Sequence, residues 1–220
     1  MKNLKNALLL KQLYQLKQLG YHYTSVTPYQ EDEPNLTLPN TLENLQKQAM
    51  QCHLCILSKN RNKVVFGKGN PHATLMIVGD FPSDIDDDTG KIFTGRNGEL
   101  LTKMITNVLK LNLEDIYITN ILKCKPVDSQ NPSSEHMHSC YPYLCKEIEL
   151  VKPKIILALG SFAYQYLSED NTPIEKVRGI IHKQKEYLLI ATYHPNYLLR
   201  NPSAKKEVFD DLLKVKDLLK

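Results

Sequence analysis

One stretch of the sequence, residues 75–101, constrains the fold more than any other. It opens with four apolar residues and reaches Gly79, a pattern typical of a short strand that is buried on both faces of a sheet. A segment rich in turn-forming and acidic residues follows, and past Gly98 apolar residues return at helical spacing. The pattern predicts a strand, a loop and a helix in succession. In an open parallel sheet, loops at the carboxyl ends of strands form the ligand crevice.

Three further apolar segments have the length and composition of strands, at residues 116–120, 154–159 and 187–192. Amphipathic segments predict helices over residues 134–151 and from residue 203 to the end. Strands that alternate with helices at these lengths pair in parallel through right-handed crossovers. The sequence therefore predicts an α/β fold with four parallel strands.

The first 40 residues differ from the rest of the chain. Leucines recur along one side of a helix over residues 4–19, and Gly20 supplies a stop. Residues 21–40 contain three prolines and no clear period, which indicates a linker. We therefore expect a helix and linker over residues 1–40, followed by one domain over residues 41–220, a usual size for an α/β domain.

The charge and hydropathy of the chain restrict the partners and the cellular compartment that can be expected for it. Lys and Arg number 28 against 24 Asp and Glu, and this excess of +4 is compatible with a polyanionic partner but too small to identify one. No apolar run approaches the length that crosses a bilayer, and a signal-peptide core is lacking. We expect a cytoplasmic protein, in which five cysteines indicate metal or cluster binding, or burial, rather than disulfides.

Four of the five cysteines form a candidate ligand set, namely Cys52, Cys55, Cys124 and Cys140. The single Cys-x-x-Cys pair lacks the second pair of a zinc ribbon, whereas an iron-sulfur cluster takes four thiolates without fixed local spacing. Cys145 lies about 140° around a helix from Cys140 and is expected to be a buried thiol. His136 is the substitute ligand. Zinc in an interaction protein, or four unrelated thiols, are the alternatives.

Four motifs of the chain occur together in one protein family. They are Gly79-Asp80-Phe81-Pro82-Ser83 with Asp86, Gly90 and Phe93-Thr94-Gly95; Thr119-Asn120-Ile121-Leu122-Lys123-Cys124; Cys140-Tyr141-Pro142-Tyr143-Leu144; and Thr192-Tyr193-His194-Pro195-Asn196 with Leu198, Leu199 and Arg200. From about residue 50 onward the chain resembles the family 4, iron-sulfur uracil-DNA glycosylases. The resemblance implies a three-layer α/β/α fold and a 4Fe-4S cluster on the four cysteines. It also implies an enzyme that hydrolyses the N-glycosidic bond of uracil flipped out of DNA, which initiates base-excision repair.

The resemblance implies a role for individual residues as well. Phe93 would stack on the flipped uracil, and the Asn120 amide would read its N3–H and O4. His194 would stabilise charge that develops on uracil O2. Asp86 would position or deprotonate the water and offset the positive charge of the sugar. Asp80 would be the second catalytic carboxylate. Gly79 and Phe81 would complete the uracil pocket. The predicted DNA contacts are Leu198 in the base stack and, on phosphates, Arg200, Lys123, Arg61 and Lys63.

The same residues allow other interpretations. Asp80 stands where the family has Glu, and Phe81 and Ser83 replace small residues, so a catalytically weakened DNA-binding protein of the same fold is the alternative function. Without the family, Phe93 and Leu198 would be interpreted as core residues. No lysine is placed to form a Schiff base, so the enzyme is expected to be monofunctional. We also expect a monomer, whose N-terminal extension could bind a repair or replication partner.

Overall fold

In a computed structural model of the chain, residues 38–127 and 132–220 are described, together with positions 11, 15, 17, 18 and 20. Positions 11, 15, 17 and 18 are helical. The remainder of the helix predicted over residues 4–19, and residues 21–37 of the predicted linker, lie outside the described residues. The chain divides into a unit over Met1–Thr37 and a unit over Leu38–Lys220.

A six-stranded sheet forms the centre of the larger unit. Its strands are β1 (Lys68–Gly69), β2 (Leu75–Gly79), β3 (Tyr117–Asn120), β4 (Ile155–Leu159), β5 (Ile181–Lys183) and β6 (Leu188–Thr192). They lie in the order β1-β3-β2-β4-β6-β5, and the four central strands are parallel. The four predicted parallel strands are therefore confirmed. The edge strands β1 and β5 pair antiparallel with β3 and β6, and they escaped prediction because they are short and exposed.

Helices connect the strands and cover the sheet. They are α1 (Leu42–Met50), α2 (Leu57–Asn60), α3 (Asp84–Thr89), α4 (Gly95–Lys103), α5 (Ser134–Val151), α6 (Ser161–Ser168), α7 (Ile174–Val177), α8 (Pro195–Arg200) and α9 (Lys205–Leu218). A π-helical segment (Met104–Leu109) continues α4, and 3-10 turns occupy Leu113–Asp115 and Pro202–Ala204. The helix predicted over residues 134–151 has the predicted bounds. Among the described residues, no helix is long and apolar enough to cross a membrane.

The core lies on both faces of the sheet. Every residue of β2 and β4 is buried, and because successive side chains of a strand point to opposite faces, both faces must be covered. Helices α5, α6 and α9 pack against these central strands or their neighbours β3 and β6. The arrangement is the three-layer α/β/α fold with a parallel centre.

The order of the strands places a crevice at their carboxyl ends. From β2 the chain crosses to β3 on one side, and it then returns to β4 on the other side of β2. Connections that leave neighbouring parallel strands in opposite directions leave a gap at the carboxyl edge, where α/β proteins bind ligands. Gly79 pairs with Asn120 at this edge.

The segment between β2 and α4 holds a short helix, α3, where the sequence analysis predicted a loop. Ser83 and Asp86 form a capping box at its N-terminus, and Gly90 ends it with a left-handed backbone, φ 73°. The box satisfies backbone N–H groups that the first helical turn leaves without partners, and carboxylates in that turn are favourable near the positive end of the helix dipole. The acidic run therefore starts a helix.

A buried ion pair links the segment that follows β3 to α5. Lys123 and Glu147 are both almost completely buried and contact each other directly. Glu147 also accepts hydrogen bonds from Tyr117 and Thr119, and Lys123 Nζ donates to the backbone oxygen of Asn120 at 2.8 Å. The prediction that Lys123 binds a DNA phosphate is wrong, because its ammonium group is enclosed by these acceptors.

Replacement of one partner of this pair is expected to leave a buried charge without compensation. We predict that Lys123→Met lowers the free energy of unfolding by about 3–5 kcal/mol, which corresponds to a fall in melting temperature of roughly 10 °C. The double variant Lys123→Met/Glu147→Gln should recover part of the lost free energy of unfolding, because it also removes the negative charge of Glu147. Thermal melts by circular dichroism test this, with the exposed Lys103→Met as control. A single variant that melts like this control would contradict the prediction.

Candidate functional site

The crevice at the carboxyl ends of the strands contains a cavity of about 400 Å³. Seven residues singled out in the sequence line it, namely Asp80, Phe81, Asp86, Phe93, Asn120, His194 and Arg200. A cavity of this volume is in the range that proteins use for small organic ligands. The structure therefore brings together an aromatic ring, an amide, an imidazole and two carboxylates that lie far apart along the chain.

The Phe93 ring is held at the cavity wall by an unusual backbone. Phe93 has a left-handed conformation, φ 50°, which is strained for a residue with a side chain. Its carbonyl group packs so closely on Gly98 that a Cβ there would collide with it. The ring lies 5.8 Å from the His194 ring, with 29° between their planes. The wall therefore presents an aromatic face next to the imidazole.

The Asn120 side chain is buried but has an unfilled acceptor. Asn120 is only 2% exposed, and its Oδ1 atom has no hydrogen-bond partner among the described residues. Gly79 makes room for it, because a Cβ at Gly79 would lie 2.5 Å from Asn120 Oδ1 and 2.8 Å from the Phe93 ring. A buried acceptor without a donor costs about 1–3 kcal/mol. The amide is thus ready to receive a donor from a bound ligand.

The His194 imidazole is a neutral donor. It caps the N-terminus of α8, where its Nδ1 accepts the backbone N–H of Asn196 at 3.1 Å. This bond places the ring proton on Nε2. Burial lowers the pKa of His194 to about 4, against an opposing effect of the Asp86 carboxylate. At neutral pH the ring therefore presents an uncharged Nε2–H group.

Asp86 is saturated with hydrogen bonds from the protein. One carboxylate oxygen accepts from the backbone N–H and hydroxyl of Ser83 at 3.0 and 2.8 Å. The other accepts from the backbone N–H and hydroxyl of Thr94 at 2.7 and 2.6 Å. A carboxylate has about four acceptor sites, so Asp86 fixes the loop around the cavity and has no free site for a water.

Asp80 has a different environment. Its Oδ1 atom accepts the backbone N–H of Ala163, in the first turn of α6, at 2.8 Å. Burial raises the pKa of Asp80 to about 7, in spite of this hydrogen bond. Near neutral pH the group is therefore able to exchange a proton, whereas an exposed aspartate would be fully ionised.

Asn97 and Lys125 line the cavity and were missed in the sequence analysis, whereas Ser83 and Asn196, which also line it, belong to the motifs named there. Lys125 forms an ion pair with Asp84 at the opening, beside the exposed Arg200. Asn97 stands out in the structure, because its Oδ1 atom is buried and has no hydrogen-bond partner among the described residues. Polar residues outside the motifs are too common on protein surfaces to be recognised as site residues in a single sequence.

Two predicted DNA contacts are wrong in this structure. Leu198 is 1% exposed, so it lies in the protein interior, while its neighbours Tyr197 and Leu199 on α8 are each 41% exposed. Arg61 donates to Cys124 Sγ at 3.2 Å and to the Cys52 carbonyl at 2.7 Å. Both residues are occupied by contacts within the protein. Lys63 is exposed, as a phosphate contact requires.

The four candidate ligand cysteines, Cys52, Cys55, Cys124 and Cys140, line one cavity, and none forms a disulfide. Among the described residues no three His, Cys, Asp or Glu side chains are arranged around a single metal ion. A 4Fe-4S cluster binds one thiolate at each iron, so it suits sulfurs that surround a cavity. Backbone N–H of Lys123 donates to Cys140 Sγ at 3.3 Å, a hydrogen bond typical of cluster sulfurs. The donor set therefore fits such a cluster.

The substitute ligand His136, and Cys145, which was expected to be a buried thiol, are not among the residues that line this cavity. His136 accepts the backbone N–H of Ser133 at the start of α5. Cys145 is exposed on the same helix, so the expectation of a buried thiol is wrong. Burial raises the pKa of Cys140 to about 12, which means that the buried thiol ionises only with a compensating positive charge such as a metal.

The chain is similar to proteins of one family. The family model of the uracil DNA glycosylase superfamily matches residues 66–214. The type-4 uracil-DNA glycosylase of Sulfurisphaera tokodaii is 35% identical over 187 residues, 81% of this chain and 85% of that protein. The type-4 enzyme of Saccharolobus solfataricus is 36% identical over 188 residues, covering 82% and 87%. That of Archaeoglobus fulgidus is 34% identical over 186 residues, covering 81% and 93%.

The state of His194 can be measured directly. Nitrogen-15 NMR of the histidine rings is expected to show His194 as the Nε2–H tautomer, titrating near pH 4 because burial disfavours the charged ring. The His194→Gln variant identifies the signal. In the urea-unfolded protein the same ring should titrate near pH 6.5. A native midpoint near 6.5, or a proton on Nδ1, would contradict the description of the site.

Proposed function

The chain belongs to the uracil DNA glycosylase superfamily, and we propose that it is a monofunctional glycosylase that hydrolyses the N-glycosidic bond of uracil flipped out of DNA. The reaction leaves an abasic site and initiates base-excision repair. The observation that carries the proposal is the convergence of Phe93, Asn120 and His194 on one cavity. The catalytically weakened alternative is not favoured, because the groups that would hold the base and stabilise the leaving group all face this cavity.

Recognition of the base would depend on stacking and on one amide. Extrusion of a nucleotide from duplex DNA costs a few kcal/mol, and the Phe93 face offers the flipped ring a surface in place of its stacked neighbours. The unfilled Oδ1 of Asn120 would accept uracil N3–H, and its amide nitrogen would donate to O4. Cytosine presents a donor and an acceptor in the reverse order, so it would leave two polar groups unpaired.

Departure of uracil would depend on His194. Cleavage of the bond between the sugar C1′ and uracil N1 leaves an oxocarbenium-like sugar and a uracil anion. The neutral Nε2–H of His194 would donate to uracil O2, where negative charge develops. Hydrogen bonds of this kind, fixed before the reaction begins, are typically worth about 2.7–4 kcal/mol of transition-state stabilisation.

The two aspartates would act differently from the way the sequence suggested. Asp86 was predicted to position or deprotonate the water, but its four protein donors leave it no free acceptor site. The other role expected of Asp86 from the resemblance remains, in which its fixed negative charge offsets the positive charge on the sugar. Asp80, with its pKa near 7, would accept the proton of the attacking water.

DNA phosphates would be bound by basic side chains that line the cavity and by an exposed lysine before β1. Arg200 and Lys125 line the cavity, and Lys63, which precedes β1, is exposed. Phosphate contacts of this kind make affinity strongly dependent on salt. The exposed Tyr197 and Leu199 would fill the space left by the flipped base, the role first expected of Leu198. Association of the N-terminal segment with a repair or replication partner stays a proposal.

The four cysteines would hold a 4Fe-4S cluster with a structural role. Among the described residues, the cysteine cavity and the base cavity share no lining residue. When bound, the cluster would supply iron–sulfur bonds that join the segment around Cys52 and Cys55 to Cys124 and Cys140. Arg61 would offset part of the negative charge of the thiolates through its contact with Cys124.

The proposed reaction is tested with oligonucleotides that contain one uracil, both single-stranded and in duplex. Treatment with purified protein followed by hot alkali should cleave the strand at uracil, and no cleavage is expected before the alkali. His194→Ala and Asn120→Ala should each slow the reaction roughly 100–1,000-fold, as loss of a preorganised polar contact does. The exposed Lys206→Ala serves as control. Full activity in both site variants, or an inactive parent protein, would refute the proposal.

The cluster is tested separately from the chemistry. Purified protein is expected to be brown and to contain iron and acid-labile sulfide in equal amounts. Cys124→Ala should lose the colour, and with it thermal stability or DNA affinity, before the intrinsic rate of bond cleavage, because the cluster joins segments away from the base cavity. Cys145→Ala is the matched control and should keep the colour. A colourless parent protein, or a colourless Cys124→Ala that is stable and binds DNA normally, would contradict the assignment.

A further inference from the structure

Two buried side-chain oxygens among the described residues have no hydrogen-bond partner, Asn120 Oδ1 and Asn97 Oδ1. Both residues line the same cavity. An unpaired buried acceptor destabilises the folded protein, and natural structures retain few of them. The proposed function accounts for Asn120, whose oxygen receives uracil N3–H. It leaves Asn97 without a partner.

Asn97 is rigidly placed on the wall that carries the stacking ring. It lies in the first turn of α4, four residues after Phe93 and directly before Gly98. Thr94, which precedes the helix, is anchored to Asp86 through its backbone N–H and its hydroxyl. Gly98 is packed against the carbonyl group of Phe93. The turn is therefore fixed on both sides of Asn97, and its amide is held in position before a ligand arrives.

The donors that could fill Asn97 Oδ1 are few. Uracil joined to deoxyribose through N1 has a single N–H donor, N3–H, which Asn120 receives. Deoxyribose within a DNA strand has no free hydroxyl group, and phosphates only accept at neutral pH. The remaining reactant with donors is the water that the hydrolysis consumes.

The other acceptors around the cavity support the same partner. Both oxygens of Asp86 are filled by donors from Ser83 and Thr94. Asp80 has one oxygen engaged by the Ala163 backbone, and no described residue donates to its Oδ2. Asn97 Oδ1 and Asp80 Oδ2 are therefore two oxygens at this cavity that have capacity for a water.

We propose that Asn97 binds and orients the nucleophilic water, an inference that rests on the proposed glycosylase function. One O–H of the water donates to Asn97 Oδ1, which turns an oxygen lone pair toward C1′. The C1′–N1 bond breaks with its electron pair on uracil, and the water lone pair forms the new C1′–O bond. The proton that the water then loses goes to the Asp80 carboxylate. Asn97 itself stays neutral throughout.

The test compares the rate of bond cleavage with the affinity for the nucleotide. Asn97→Leu removes the acceptor and keeps the number of non-hydrogen side-chain atoms. Asn97→Asp keeps an acceptor oxygen, and Asn120→Leu is a matched loss of the other unpaired amide. Single-turnover rates are measured on a single strand containing deoxyuridine. Dissociation constants are measured on the same strand containing 2′-fluoro-2′-deoxyuridine, in which the electron-withdrawing fluorine suppresses oxocarbenium formation.

Asn97→Leu is expected to lower the single-turnover rate roughly 100-fold, the typical effect of a misplaced reactant, with an unchanged dissociation constant for the fluorinated strand. Asn97→Asp should restore most of the rate. Asn120→Leu should weaken binding as well as slow the reaction. Asn97→Leu should also melt at or above the temperature of the parent protein, because a buried unpaired oxygen is gone; Asn97→Ser provides a second variant without the larger side chain.

Three results would overturn the inference. A parental rate in both Asn97→Leu and Asn97→Ser would show that no water depends on this amide. A loss of affinity for the fluorinated strand that parallels the loss of rate would show that Asn97 contacts the nucleotide. Asn97→Asp as slow as Asn97→Leu would show that the acceptor oxygen is not the relevant feature. A parent protein that releases no uracil would instead refute the proposed function, which is distinguishable because the parent is measured first.

Discussion

The absence of a side chain at Gly79 is the constraint on which the candidate site depends. At the carboxyl ends of β2 and β3, a Cβ on this residue would lie 2.5 Å from Asn120 Oδ1 and 2.8 Å from the Phe93 ring. Only glycine lets the amide and the aromatic ring approach the same point of the sheet edge. The strained backbone of Phe93 and the close contact at Gly98 belong to the same arrangement, which turns a hydrophobic ring into one wall of a polar cavity.

Environment, and not residue type, separates the roles of the polar groups around this cavity. Asp86 and Asp80 are both aspartates, yet Asp86 accepts four hydrogen bonds from the protein, while Asp80 accepts one and desolvation raises its pKa to about 7. The two amides, Asn97 and Asn120, are buried with unfilled oxygens. The cavity therefore combines one carboxylate that is fixed, one that can exchange a proton, and two acceptors that await donors. Such an arrangement is costly to the folded protein and useful to a reaction.

Lys123 connects the base cavity to the cysteine cavity. Its ammonium group holds the backbone oxygen of Asn120 and the carboxylate of Glu147, while its backbone N–H donates to Cys140 Sγ. The position of the amide that would read the base is therefore tied to the loop that would hold the cluster. This gives a physical reason for a structural cluster in a hydrolase: it would stabilise the segment that follows β3 and, through it, the edge of the cavity.

The sequence by itself determined the four parallel strands, the bounds of the helix over residues 134–151 and the edge of the sheet where ligands bind, while its resemblance to a family implied which motif residues meet there. These features depend on local periodicity, on turn residues and on the rule that parallel strands share one carboxyl edge. The tertiary structure alone decided which charged and apolar residues are buried. Lys123 pairs with Glu147 on helix α5, Arg61 is engaged by Cys124 at a separation of 63 residues, and Leu198 is buried in the interior. Nothing local distinguishes a lysine that pairs with a distant carboxylate from one that meets a phosphate, because burial is a property of the partners that folding brings together.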